Sequence, residues 1–391
     1  MRKILFDLLL CQPIGESKFH GGGEYIKRVF REVILTKSDD VAVSVYFDQD
    51  AFLDEWIFDL IKEYSIETYN IKTVSQIVDI FAEKQFDVFY TGMPYEYKKE
   101  YFPYKIYKIG TFHGMRAVEC PHDHYEYKYI QSFSGRLKEH IRNLLKYTKY
   151  GYKKNINSGI SNYKKCIGIF DKIVCDSFHT AYSLKIYYTS LENKTIETLY
   201  PPLKYSENSA DDLEVPATGK YILMIGGNRW LKNTYRGIRA IDFLYSRGHL
   251  DDIKTVVVGS LNTKIKKEVK NKEKFEFKGY VEDKELNILY KNCCVFLYPT
   301  LNEGFGYPPL EAMQYGKTCI VSSVCSLPEV CGDAVYYVNP YDIGEIQNRI
   351  LWALEKPIFK SKIQNQFLRI SELQKDGLKR LCFIIMMGMD T

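Results

Sequence analysis

Short apolar runs at strand spacing alternate with helical patterns along this chain, and that alternation restricts the fold more than any other feature. In the second half residues 221–225, 255–258, 275–277, 295–297, 318–321 and 335–338 read as strands, with helices over 284–292 and 344–354. The first half repeats the scheme with strands at 4–10, 41–47, 87–90, 108–112, 172–175 and 196–199, and helices near 24–35, 52–64 and 75–84. Such alternation predicts an α/β protein whose mostly parallel sheets are wrapped by helices. Between the halves, residues 204–219 are polar, lack periodicity and carry Asn, Ser, Asp, Pro and Gly, the composition of a linker. A chain of 391 residues is long enough for two such cores. The expected division is 1–203, a linker at 204–219, a second domain at 220–362, and a helical segment at 363–391 that packs back across both. Leu368, Leu373, Leu378, Leu381 and Ile385 are its expected apolar positions.

In parallel sheets ligands sit beyond the carboxyl ends of the strands, so the residues that follow each strand come next. After strand 295–297 the chain runs through Glu303, Gly304, Phe305 and Gly306 into a helix opened by Pro308 and Pro309. Proline costs no hydrogen bond in a first turn, and the positive end of the helix dipole there suits an anion. Glu303 and Glu311, with seven residues between them, flank this turn. Carboxylates there accept hydrogen bonds from sugar or ribose hydroxyls, while backbone amides hold phosphates. Two cations, Arg229 and Lys232, project from the turn after strand 221–225, where they can clamp a diphosphate; Asn233 is placed to cap the helix that follows. Gly279, Tyr280 and Val281 leave another strand and offer backbone groups and an aromatic face to a nucleobase. In the first half His113 directly follows strand 108–112, and Gly21, Gly22 and Gly23 form a loop before a helix without matching the Gly-x-Gly-x-x-Gly fingerprint.

The charge balance of 54 basic against 49 acidic residues selects no partner class. Its distribution is uneven: from Lys128 to Lys165 ten lysines and arginines meet the single acid Glu139, with tyrosines and phenylalanines interleaved. That surface suits an anionic membrane or a phosphorylated acceptor, and no nucleic-acid motif accompanies it. Ten cysteines without a Cys-x-x-Cys pair fit reduced thiols in a cytosolic protein. Two groups raise the question of a metal, Asp48-Gln49-Asp50 and the set Cys120, His122, Asp123 and His124. The first is a three-residue match of the kind that arises by chance in a solvated loop, and the second lacks a second ligand pair at metal spacing, so no metal is expected. The opening segment reads as a buried strand because Asp7 interrupts a short apolar run, and no segment approaches the roughly 20 apolar residues of a membrane span.

Taken together, Glu303-Gly304-Phe305-Gly306-x-Pro-x-Leu-Glu311-Ala312, Ser326-Leu327-Pro328-Glu329-Val330 and Asn339-Pro340 resemble the family-4 retaining glycosyltransferases of the GT-B fold. Asp171 to Val174 with Ser177, and Asp283 to Tyr290, are similar to weaker patterns of that family. The resemblance implies two Rossmann-like domains facing each other across a cleft, and transfer of a sugar from a nucleotide-sugar donor to a glycan or lipid-linked acceptor in bacterial surface polysaccharide assembly. It further implies that Glu303 meets the transferred sugar and Glu311 the ribose. Phe305 and Gly306 lend amides, Lys232 and Arg229 neutralise the diphosphate, and Gly279 to Val281 seat the base. His113 matches the family's cleft histidine, and Gly22 and Gly23 its amino-terminal glycine loop. The Arg229-to-Lys232 spacing is shorter than the family usually shows. Retention, independence of metal and cofactors, and a cytoplasmic place at the inner face of the membrane complete these expectations. A catalytically inactive sugar-nucleotide or glycan-binding subunit, and a nucleotide-sugar epimerase or phosphorylase of the same fold, are the alternatives.

Overall fold

The computed structural model describes residues 1–13, 19–146, 148–188, 191, 194–203 and 219–388. The expected linker at 204–219 therefore lies outside the described residues except for Gly219. The chain divides into two compact units, one of residues 1–115, 158–203 and 371–391, the other of residues 116–157 and 204–370.

The first unit holds a seven-stranded parallel sheet: β1 (Arg2–Asp7), β2 (Val41–Phe47), β3 (Glu67–Asn70), β4 (Val88–Thr91), β5 (Tyr107–Phe112), β6 (Lys172–Cys175) and β7 (Thr195–Thr198), in the order β3-β2-β1-β4-β5-β6-β7. β1 ends sooner than its apolar run suggests, because Leu9–Cys11 form a 3-10 turn. β3 escaped the sequence reading because its residues Glu-Thr-Tyr-Asn are mostly exposed on the sheet edge and leave no apolar alternation.

Asp7 closes β1 and is fully buried. It accepts hydrogen bonds from Thr91 Oγ1 at 2.6 Å, Tyr97 OH at 2.7 Å and the Leu10 amide at 3.2 Å. Burial outweighs these donors and pushes its carboxyl up to about 6 from 3.8. The native state thus binds the proton more tightly than the unfolded chain, so this residue's contribution to stability is full below about pH 4 and is lost as pH rises through about 6. Chemical denaturation of wild type and Asp7→Asn is expected to show their stability difference moving by about 3 kcal/mol between pH 4 and 7, against wild type at the higher pH. A difference that is flat with pH would remove this assignment.

The second unit holds a six-stranded parallel sheet: β8 (Tyr221–Ile225), β9 (Lys254–Val258), β10 (Phe275–Lys278), β11 (Val295–Tyr298), β12 (Thr318–Ser322) and β13 (Tyr336–Val338), in the order β10-β9-β8-β11-β12-β13. The order reverses between β8 and β11, which leaves a crevice at their carboxyl ends.

Residues 116–157 precede the first unit's last two strands in sequence yet belong to the second unit. The fastening is polar and buried. Arg236 pairs in bidentate fashion with Asp123, at 2.8 and 3.1 Å, Asn228 Nδ2 donates to the Tyr129 carbonyl at 2.8 Å, and Tyr129 OH accepts from the Tyr235 amide at 2.8 Å. Asp123 is thereby committed to a guanidinium rather than to the metal cluster weighed above, and Asp50 is committed to Lys72 at 2.5 Å.

The final helix, Lys360–Met387, contributes to both units. Its first part is tied to the second unit by Gln366 Nε2, which donates to the Val330 carbonyl at 2.7 Å. Its last part is tied to the first unit by Gln374 Nε2 on the Pro201 carbonyl at 2.6 Å and by Arg380 on Glu197 at 2.8 Å. The expected inward row needs correction. Leu381 and Ile385 are buried, but Leu368 and Leu373 are exposed, and Ser371 and Gln374 face inward in their place. Polar inward residues satisfy the carbonyls that an apolar row would leave unpaired.

Candidate active site

The crevice between β8 and β11 is built from two loops stitched together. The Leu301 amide donates to the Leu231 carbonyl at 2.7 Å, joining the turn after β8 to the loop after β11. Lys232 and Glu303 meet there, Nζ to Oε1 at 2.6 Å, with side chains 13% and 11% exposed. Tyr298 OH and Thr300 Oγ1 also donate to Oε1, at 2.7 and 2.8 Å, and the Lys232 ammonium donates to Tyr298 OH at 2.5 Å. Burial alone would raise the Glu303 carboxyl, but the Lys232 ammonium and the two hydroxyls hold it below the ordinary glutamate value.

Local backbone explains the approach. A Cβ on Gly226 would lie 2.5 Å from Lys232 Cβ, so only glycine lets the lysine stem pass over the end of β8. Asn233, next in the chain, stands in the left-handed region at φ 56°. Its side chain makes no cap to the following helix. Nδ2 instead donates to the Pro299 and Pro340 carbonyls at 2.8 and 2.7 Å, and Oδ1 accepts from Arg236 at 2.9 Å. Asn233 thus locks the turn that presents Lys232.

The helix Tyr307–Gln314 starts from Gly306, whose φ of 103° favours glycine and whose added Cβ would fall 2.6 Å from Leu327 Cδ2. Pro308 and Pro309 fill second and third positions of this helix, so two of its first-turn donors do not exist. The start of this helix thus offers fewer amides than the free run expected from the sequence. Ser326 Oγ holds the loop from behind by donating to the Phe305 carbonyl at 2.8 Å. Glu311 sits in the same helix and accepts from Tyr290 OH at 2.8 Å. Arg229 is exposed and close enough to act electrostatically on Lys232, as does Glu311. Gly279 and Tyr280 lie exposed beyond β10, the tyrosine at 69%, while Val281 is buried. The Gly279 carbonyl accepts from the Gly259 amide at 3.0 Å, which fixes the turn to the end of β9.

The remaining candidates belong to the first unit. His113 follows β5, with Nε2 at 2.8 Å from the Gly92 carbonyl and Nδ1 at 3.2 Å from Asp176 Oδ2. The Tyr25 ring lies edge-on to the imidazole at 4.7 Å. Gly22 and Gly23 are not a loop but the first turn of the helix Gly21–Thr36, capped by His20 Nδ1, which accepts from the Gly23 amide at 3.0 Å. A side chain on Gly22 would strike Met93 Sδ at 2.5 Å and one on Gly23 the Cys11 carbonyl at 2.8 Å. The backbone contact requires glycine at 23, whereas the neighbour at 22 is a flexible side chain.

Residues 206–367 match the family model described as Glycosyl transferases group 1. The match takes in the second sheet and the helices between its strands. The Serotype-specific mannosyltransferase WbdA of Escherichia coli is 38% identical over 116 residues, 27% of this chain and 14% of that protein. The O-antigen chain mannosyltransferase B of Escherichia coli is 47% identical over 77 residues, 20% of each. The aligned stretches thus span about a seventh and a fifth of these relatives' lengths. Across the whole chain, the sucrose-phosphate synthase of Thermosynechococcus elongatus superposes with a TM-score of 0.66 at 14% identity, covering 98% of this chain and 97% of that one. The fold class is GT-B, with two Rossmann-like units.

Tyr298, Thr300, Tyr290 and Asn233 hold the site together, a part that the sequence reading gives to none of them. Tyr298 and Thr300 carry a usable signal, since one ends and the other follows the strand that leads to Glu303. Tyr290 reaches the site only through tertiary packing, and so do the Pro299 and Pro340 carbonyls that hold Asn233.

Proposed function

We propose that the chain is a retaining, metal-independent glycosyltransferase of bacterial surface polysaccharide assembly, moving a sugar from a nucleotide-sugar donor to a glycan or lipid-linked acceptor. The carrying observation is the buried Lys232–Glu303 pair at the reversal point of the group 1 sheet. In the proposed step the bond from the anomeric carbon to the diphosphate oxygen breaks as the acceptor oxygen bonds to that carbon from the same face. The acceptor proton passes to the departing phosphate. Lys232, Arg229 and, carried over from the resemblance, the amides of Phe305 and Gly306 stabilise the negative charge that grows on the leaving group. Lys232, Tyr298 and Thr300 all donate to Oε1 of Glu303, so Oε2 is the oxygen assigned to a sugar hydroxyl. Glu311 takes the ribose, Gly279 to Val281 the base, and His113 a catalytic role carried over from the resemblance. The names of the Escherichia coli relatives make mannose the first sugar to test. The reaction is assigned to the cytoplasm, at the inner face of the cell membrane.

The test is a thermal-shift screen with UDP, GDP, ADP and their sugars, with and without EDTA. A ligand at about 100 times its dissociation constant adds roughly 2.7 kcal/mol to stability. One nucleotide series is expected to stabilise wild type equally with EDTA, and Glu311→Ala is expected to lose most of that shift. Tyr290→Phe, which leaves Glu311 without its donor, is expected to weaken the same nucleotide by about fivefold, near 1 kcal/mol. Stabilisation by no nucleotide, or only with metal present, would overturn the reading.

A further inference from the structure

The helix Phe133–Lys146 is turned inside out. Its inward residues are polar: Glu139 and Asn143 are 6% and 4% exposed, and Lys146 bonds Glu139 and Glu126 at 3.1 and 3.2 Å. Its outward residues are apolar, with Leu137, Ile141, Leu144 and Leu145 between 53% and 62% exposed. At helical spacing these four share one face about 100° wide. An amphipathic helix that buries its charges and offers its leucines to solvent has its apolar face available for a partner.

Charge identifies the partner. Lys138 borders the apolar face and points outward, and the next helix, Lys149–Ile167, adds exposed Lys153 and Lys154. The sole acid from Lys128 to Lys165, Glu139, is buried and neutralised by Arg142 and Lys146. A second copy set face to face would oppose these cations to themselves, whereas an anionic lipid surface pairs with them and takes up the leucines. We propose that the helix Phe133–Lys146 lies in the interface of an anionic membrane, its leucine face in the acyl boundary and Lys138 at the headgroups, with Lys153 and Lys154 of the next helix adding to the positive surface. The proposal gives a lipid-linked acceptor its place and rests on the functional reading only for that purpose, since lipid binding needs no donor.

Cosedimentation with vesicles of phosphatidylglycerol and phosphatidylcholine, compared with phosphatidylcholine alone, tests it. Wild type is expected to bind the mixed vesicles, more weakly as salt rises, and to leave the neutral ones in suspension. Ile141→Asp is expected to lower binding about tenfold, and Lys138→Glu by a similar factor. Leu144→Ser, a milder change, is expected to lower it about threefold. All three keep the wild-type melting temperature and transfer to a water-soluble acceptor, so loss of lipid binding is read apart from loss of catalysis. Equal binding to both vesicles, binding unchanged in Ile141→Asp, or a wild-type dimer that Ile141→Asp converts to monomer would overturn the proposal.

Discussion

Replacing Lys232 with alanine is expected to lower sugar transfer by about 10²- to 10³-fold and to cost about 2–4 kcal/mol of stability. The two effects share one origin. Lys232 is the cation set to meet charge on the leaving diphosphate, and it also neutralises a carboxylate that is nearly withdrawn from water. Removing it leaves Glu303 with two hydroxyl donors and no counter-charge. Glu303→Gln separates the contributions, because an amide oxygen can still accept from Tyr298 and Thr300. That variant is expected to fold and to lose transfer by a comparable factor, since it cannot hold a sugar hydroxyl as a carboxylate does. Its pH behaviour is a further check. With its folded-state value depressed, Glu303 contributes stability that is full above the ordinary glutamate range and is lost as pH falls through the depressed value. Initial rates and urea unfolding of Lys232→Ala, Lys232→Arg and Glu303→Gln decide the matter. Wild-type rates in Lys232→Ala would take the lysine out of the reaction altogether.

What could be read from the chain beforehand follows the locality of each signal. Strands such as β2, β6 and β8 are largely apolar because parallel strands are covered on both faces, and their limits coincide with the expected ones. Glu303 and Lys232 could be placed at strand ends for the same reason. Their direct contact could not, because it depends on β8 and β11 being neighbours across a reversal of strand order. The Gly21 to Gly23 run reads as a loop since glycine disfavours helix, yet it forms a first turn capped by His20, where the cost of glycine in a helix interior does not apply in full. Asn233 looked like a cap because the type is right and a helix follows. Arg236 and two proline carbonyls, all distant or on the next turn, compete for its side chain and win. The membership of 116–157 in the second unit was equally hidden. No run of sequence records that Asp123 will face Arg236, 113 residues further on.

That ion pair carries the other large expectation: Asp123→Ala should destabilise the second unit by about 3–5 kcal/mol. Both side chains are almost wholly buried, at 6% and 4% exposure for Arg236 and Asp123. The guanidinium is packed between the rings of Tyr125 and Tyr341, at 4.6 and 5.3 Å from their centroids. A lone guanidinium in that slot has lost its water without a carboxylate to replace it, so removing one partner costs far more than the pair contributes. The double change Asp123→Leu with Arg236→Met is therefore expected to recover a good part of the loss, since a buried pair replaced by apolar groups of similar size is often neutral. Catalysis should respond through Asn233. Arg236 donates to its Oδ1, and without a correctly placed arginine the left-handed turn that presents Lys232 loosens. Nucleotide affinity should fall several-fold in both Asp123→Ala and the double variant, although only the first is strongly destabilised. Urea unfolding followed by tryptophan fluorescence and nucleotide titration at a temperature where both variants are folded separate these effects. If the double variant is no more stable than Asp123→Ala, the buried charge is not the source of the cost; if it binds nucleotide as wild type does, Arg236 plays no part in positioning Lys232.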